Sequence, residues 1–178
     1  MMINYSPIKI LFVTFLGSFM LSHAVAQNKS YESKIGLGLD AGIPVGDYKD
    51  VADYGLGISL LYQKPVASNL NITGNVGYLR FHGPAIYSGI KYKEGYVPIK
   101  AGARYFLVPH IFAAGELGIS ISTANGYGSG TAFAYAPGIG AEFPISKNGM
   151  LDVGLRYENW SRSGGTRSFG GIRVGYNF

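Results

Sequence analysis

Imidazole, hydroxyl and carboxylate are the parts of an acyl-transfer site: a base beside a nucleophile, with a third group to orient the base. Here the supply is thin. Downstream of residue 26 the imidazoles are His82 and His110, and the sequence has no cysteine. His82 lies in Phe81-His82-Gly83-Pro84 with Ser88 further on, and His110 lies in a short connection, Val108–His110. A stretch of this composition places a histidine near a serine by chance, so no enzyme is expected. The aspartates of Gly46-Asp47-Tyr48-Lys49-Asp50-Val51-Ala52-Asp53 invite a calcium reading but lack the D-x-[DN]-x-[DN]-G order. No metal and no cofactor is expected. The absence of cysteine also excludes a lipoprotein, a disulfide scaffold and a thiol enzyme. What remains is a set of charges at recurring positions: Lys34, Lys100, Arg104, Arg156 and Arg173 against Asp40, Glu116, Glu142, Asp152 and Glu158.

These charges fall in the polar phase of a two-residue alternation, and that alternation must position them. It occurs eight times: over Lys34–Ile43, Leu56–Gln63, Leu70–Tyr78, Val97–Tyr105, Ile111–Ile121, Phe133–Phe143, Leu151–Glu158 and the terminal Ile172–Phe178. Strict alternation is the period of a strand with one apolar and one polar face. Segments of about 10–12 residues, tilted near 45°, span about 25 Å, the height of an outer-membrane apolar band. Short connections (Lys64–Asn69, Val108–His110, Pro144–Gly149) alternate with longer ones (Pro44–Asp53, Arg80–Gly95, Ser122–Thr131, Asn159–Ser168). The prediction is an all-β, eight-stranded antiparallel up-and-down transmembrane barrel. Pro98 and Pro137 fall inside predicted strands, where bulges or shifted strand ends are expected.

Alternation leaves the direction of the faces open, since a soluble lipocalin-like barrel turns its apolar face inward. Two features decide. The polar stripe is rich in glycine and its charges balance, as a crowded interior requires, because an unpaired buried charge is costly. Aromatics (Tyr62, Tyr78, Tyr105, Phe143, Tyr157, Tyr176, Phe178) gather toward the ends of the apolar stripe, as an interfacial girdle would. The polar face points inward, and the ten charges form a network in the lumen.

The first residues fit an exported protein. Lys9, the apolar run from Ile10 to Leu21 and Ala24-Val25-Ala26 form a secretory signal. Residues 1–26 are therefore read as a signal peptide, and 27–178 as a single barrel domain. The net charge of +5 is scattered, so nucleic acid is not an expected partner.

Four stretches carry a resemblance: Gly42-Ile43-Pro44-Val45-Gly46-Asp47-Tyr48, the run Val97-Pro98-Ile99-Lys100-Ala101-Gly102-Ala103-Arg104-Tyr105, Gly115-Glu116-Leu117-Gly118, and the terminal strand. Together they resemble the small eight-stranded outer-membrane proteins of the OmpA/OmpX architecture, and the outer membrane protein β-barrel domains of Bacteroidetes. The resemblance implies an integral protein of a Gram-negative outer membrane, in contact with outer-membrane lipid and lipopolysaccharide. It also implies that Ile172, Val174, Tyr176 and Phe178 are an assembly signal read by the barrel assembly machinery. No peptidoglycan-binding domain is expected after the barrel, unlike full-length OmpA proteins. Some eight-stranded barrels modify lipid A, but the histidines here do not match such a site.

An eight-stranded barrel is just wide enough for side chains to fill. The charge set then reads as a salt-bridged plug, helped by inward bulk at Leu61, Phe106 and Phe112. The alternative is a small or gated, porin-like channel lined by Lys100, Arg104, Glu116, Glu142, Arg156 and Arg173. Two predicted loops pair basic groups with aromatics and suit contact with phosphates and sugars. One holds Arg80, Tyr87, Lys91, Tyr92 and Lys93; the other holds Trp160, Arg162 and Arg167. The expected role is non-enzymatic, either envelope-structural or surface interaction through the long loops with an extracellular or envelope protein partner. A barrel component of a secretion or envelope complex is a further alternative.

Overall fold

Leu39 is 70% exposed while its neighbour Asp40 is 6% exposed, the reverse of a soluble protein's arrangement. That inversion runs through the whole computed structural model, which describes residues 32–87, 90–124 and 129–178. The strands are β1 (Lys34–Val45), β2 (Tyr54–Ala67), β3 (Leu70–Tyr87), β4 (Ile90–Val108), β5 (Ile111–Ser122), β6 (Gly130–Pro144), β7 (Met150–Arg162) and β8 (Gly165–Asn177). A short 3-10 helix, Gly46–Asp50, follows β1. Each strand pairs antiparallel with the next, and β1 pairs with β8 from Gly36↔Asn177 to Val45↔Ser168, closing an all-β up-and-down barrel. The bond from the Phe178 amide to the Ile35 carbonyl, 2.9 Å, extends the seam. Residues 1–26, read as a signal, lie outside the described residues.

Outward positions carry Leu37, Ile58, Leu60, Ile99, Leu117, Ile139, Leu155, Ile172 and Val174, all at least 41% exposed. Such a continuous apolar exterior is stable only against hydrocarbon. Closure leaves no free sheet edge among the eight strands, as a bilayer demands.

The structure corrects the sequence reading in three places. The strands run from 12 to 19 residues rather than 10 to 12, the longest being β3 (18) and β4 (19). Two predicted long loops, Arg80–Gly95 and Asn159–Ser168, are largely hairpin extensions, with β3 paired to β4 as far as Tyr87↔Ile90 and β7 to β8 as far as Arg162↔Gly165. Beyond the apolar belt the outward face turns polar while Phe81, Trp160 and Phe169 take inward positions, so the alternation reverses sense and no longer continues the pattern of the belt. The third correction concerns the prolines. Pro98 pairs with Ser120, and Pro137 with Gly115, with no register shift at either. Instead each lies at a gap in the ladder on its other side, between Val76↔Ile99 and Leu79↔Tyr96, and between Tyr135↔Asn159 and Gly138↔Arg156. Proline lacks one donor but tolerates extended φ, so a lapse in hydrogen bonding suffices and no bulge forms.

Candidate functional site: a filled lumen and its mouth

Inward side chains from seven strands build one connected polar chain. It starts where Lys100 Nζ lies 2.9 Å from Glu116 and 3.0 Å from Glu158. Glu158 accepts from Arg156 Nε at 2.6 Å, and Arg156 Nη1 donates to Asp40 at 2.8 Å. Ser59 donates to Asp40 at 2.5 Å and accepts from Arg173 Nε at 3.0 Å. Arg173 reaches Asp152 at 2.7 Å, and Asp152 is shared with Arg104. Arg104 continues to Glu142 at 2.9 Å, which also accepts from Gln63 at 2.9 Å and Asn177 at 3.3 Å. Asp152 and Glu158 are fully buried, so these pairs stand or fall as a network.

Nine of the ten predicted lumen charges thus join one chain. Lys34, half-buried, makes no ion pair within 4 Å among the described residues, though its charge still acts on Glu142. Glycines give the long side chains room. A Cβ at Gly38 would fall 2.6 Å from Arg173 Nε, and one at Gly175 2.6 Å from its Nη1, so the guanidinium lies flat against the β1–β8 wall. Two small cavities lie between the side chains, of about 40 Å³ beside Arg104, Asp152 and Gly154 and about 10 Å³ beside Asp40 and Lys100. Each has room for only a few water molecules.

Above the chain sits a second filling that the sequence reading missed. Phe81 packs edge-on against Tyr48 (5.0 Å), Trp160 (6.0 Å), Phe169 (5.1 Å) and Tyr96 (6.2 Å). All five rings are at most 3% exposed. Tyr48 is brought in by the 3-10 helix, which folds over the barrel mouth. Trp160 Nε1 donates to Glu158 at 2.9 Å and ties this apolar stopper to the polar chain below. The signal was available: Trp160 is in phase with Arg156 and Glu158, Phe169 with Arg173, and Tyr96 with Lys100.

The rim of the mouth is polar. Glu94 accepts from Tyr92, from Ser122 at 3.0 Å and from Arg167 at 3.1 Å, and Arg167 lies 5.4 Å from the Tyr96 ring centre and 5.8 Å from that of Tyr48. The outward residues at this level, Arg80 and Lys93, are charged, so the cluster stands beyond the apolar belt. Burial raises the Glu94 carboxyl, but the hydrogen bonds of Tyr92 and Ser122 and the Arg167 charge outweigh it and hold the group below the ordinary glutamate range. Burial pushes the Tyr48 phenol up, helped by Tyr92, so it stays protonated.

These positions revise the predicted loop contacts. Trp160 is an interior residue, 1% exposed, and Tyr92 and Arg167 turn inward to Glu94. Arg162 ends β7 and donates to the Ser129 carbonyl at 3.2 Å. Arg80 and Lys93 do face outward and are exposed. Tyr87 and Lys91 lie on β3 and β4 with side chains outside the described set, and Ser88 lies outside the described residues. His82 stacks on Tyr54 at 5.1 Å, and His110 faces Phe143 at 6.2 Å at the opposite end of the barrel. Among the described residues no group of three or more His, Asp or Glu side chains is placed to hold a metal ion. Ile172, Val174, Tyr176 and Phe178 form an outward stripe, 39–54% exposed.

No protein-family model matches the sequence, and no curated protein matches it. Solved structures do. The chain is similar to Ail, the attachment invasion locus protein of Yersinia pestis, with 18% identity over 84% of this chain and 100% of that one and a TM-score of 0.59. It is similar to Neisserial surface protein A (16% identity, 82% and 95% covered, TM-score 0.56). It is also similar to the outer membrane protein OprG of Pseudomonas aeruginosa (12% identity, 84% and 97% covered, TM-score 0.54). The fold is that of the eight-stranded outer-membrane barrels. At these identities the likeness speaks for the fold and does not single out the OmpA/OmpX or Bacteroidetes groups. The apolar exterior of this chain makes the further point: the barrel is integral to an outer membrane.

Proposed function

We propose that this protein is a sealed, non-enzymatic barrel that serves the envelope as a structural element and presents its loop end for surface interaction. The observation that carries this reading is the unbroken polar chain from Glu116 to Asn177, capped by five mutually packed rings. A conducting or gated path would need that chain and that stopper to part together. The names of Ail and Neisserial surface protein A agree with a surface role without carrying it. The strings at Gly42–Tyr48 and Val97–Tyr105 support kinship with OmpA/OmpX-type and Bacteroidetes barrels. Residues 1–26 serve as the export signal, and Ile172, Val174, Tyr176 and Phe178 as the assembly signal read by the assembly machinery.

The absence of native cysteine makes the seal easy to test. Gly154 faces the lumen, and a Cβ there would meet only the Ile139 carbonyl oxygen, at 3.9 Å. Val51 at the mouth is 40% exposed. In proteoliposomes, Val51→Cys should react with a membrane-impermeant thiol reagent and Gly154→Cys should not. Equal labelling of both would overturn the sealed reading in favour of the channel. Co-purification of a stoichiometric partner from outer membranes would instead favour a secretion or envelope complex.

A further inference from the structure

The outer wall carries a feature that the lumen does not explain. Along β8, β1, β2 and β3 the exterior is concave, a groove of about 720 Å³ whose walls include Leu39, Leu60, Val76, Tyr78 and Tyr176. That volume lies within the range of about 300–1,000 Å³ usual for small-molecule sites. The concavity follows from the interior. Gly175, Gly38, Ser59 and Gly77 lie in register across these strands on the inner face, and small side chains let the wall dip toward Arg173.

The end of this groove nearest the mouth meets two unpaired cations. Tyr78, in the groove, is followed two residues on by Arg80, paired to Gly95, and Lys93 is paired to His82. Arg80 and Lys93 are therefore diagonal neighbours on the outward face, about 7–8 Å apart between strands, with the Tyr78 side chain lying over Gly95 beside them. Both are exposed, and among the described residues neither has a carboxylate within 4 Å. The space a Cβ would take at Gly95 is filled by the Tyr78 hydroxyl and by Thr123 Oγ1, which donates to the Gly95 carbonyl at 3.0 Å.

We propose that this face binds one phosphorylated, acylated lipid of the outer leaflet, with an acyl chain in the groove and a phosphate between Arg80 and Lys93. The occupant follows from chemistry and depth. The groove is continuous with a surface that faces hydrocarbon, and the cations sit just beyond the belt, where a headgroup phosphate would lie. They are at the end opposite the short turns, which is the extracellular end in such barrels, so the lipid is a phosphorylated glycolipid of the lipid A class. Guanidinium and ammonium groups beside the Tyr78 hydroxyl suit a phosphate through charge-assisted hydrogen bonds.

The inference rests on the membrane-spanning reading and is independent of the sealed lumen. The test is native mass spectrometry of the refolded full chain released from detergent, with bis-phosphorylated lipid A, its dephosphorylated form and phosphatidylglycerol as probes. Far-ultraviolet circular dichroism confirms that each variant is folded. The wild type should retain one bis-phosphorylated lipid A in preference to both other lipids. Arg80→Gln with Lys93→Gln should weaken retention roughly tenfold, and Val76→Trp, which fills the groove from outside, should weaken it similarly. Retention of lipid A unchanged in both variants, or equal retention of phosphatidylglycerol by the wild type, would overturn the proposal. A variant that loses its β-sheet signal would instead bear on the barrel reading, so the two failures are distinguishable.

Discussion

Asp152 is the residue on which most of the lumen depends. It is fully buried and accepts from both Arg104 and Arg173, so its removal leaves two guanidiniums short of a counter-charge. Breaking a buried pair by deleting one partner costs about 3–5 kcal/mol, far more than the pair contributes relative to an apolar filling. Asp152→Ala should therefore lower the unfolding free energy by about that amount in urea titrations of the detergent-solubilised barrel. Glu94 makes the opposite kind of prediction, about the rim. Its carboxyl is held below the ordinary glutamate range, so the stability it gives the mouth is present above about pH 4.3, the unfolded value. That stability is lost as pH falls through the depressed folded value. Trp160 is the only tryptophan, so its acrylamide quenching reads the mouth directly. Quenching should rise as the wild type is acidified below that point, while Glu94→Gln should show its looser mouth at neutral pH and little further change with acid.

At the scale of the strand, alternation decides which substitutions are tolerated. Leu155 and Ile99 face lipid, 54% and 45% exposed, so Asp at either position puts a charge into hydrocarbon and should block membrane assembly. Inner-face glycines divide by the space around them. A Cβ at Gly102 would run into the Gly115 carbonyl and the Glu116 backbone, whereas Gly154 borders open space beside Arg104, Arg156 and Arg173. Gly102→Asp should misfold, and Gly154→Asp should assemble, as read by the heat-modifiable mobility of the folded barrel. This is also where sequence reading succeeded and failed. Within the apolar belt the period alone made eight strands legible, and the glycine-rich, charge-balanced polar stripe with aromatics at the ends of the apolar one pointed its charges into the lumen. Above the belt Tyr92, Lys93 and Arg167 alternate with nothing apolar on the outward face, so the extensions of β3, β4, β7 and β8 read as loops. The stopper stayed hidden for the same reason. Trp160 and Phe169 belong to the inward phase, but once their strands were cut short they looked like loop residues.

For the whole molecule, two fillings of different chemistry occupy one narrow tube. The polar chain fills the part within the apolar belt, and the rings close the mouth at the end opposite the short turns. They meet at the bond from Trp160 to Glu158. Small-to-large matching fixes both: glycine opposite Arg173 below, and Gly42 and Gly55 beside Phe169 and Phe81 above, where a Cβ would come within 2.9 and 2.7 Å of the rings. A barrel built this way can be a stiff membrane element with its recognition chemistry on the outside, at the rim and along the outer wall. The measurement that tests this most directly is single-channel recording in a planar bilayer with the refolded wild type and with Phe81→Ala. The account predicts no steady current from either, because the ion-pair chain still fills the tube when the stopper is loosened. A stable unitary conductance from the wild type would contradict it.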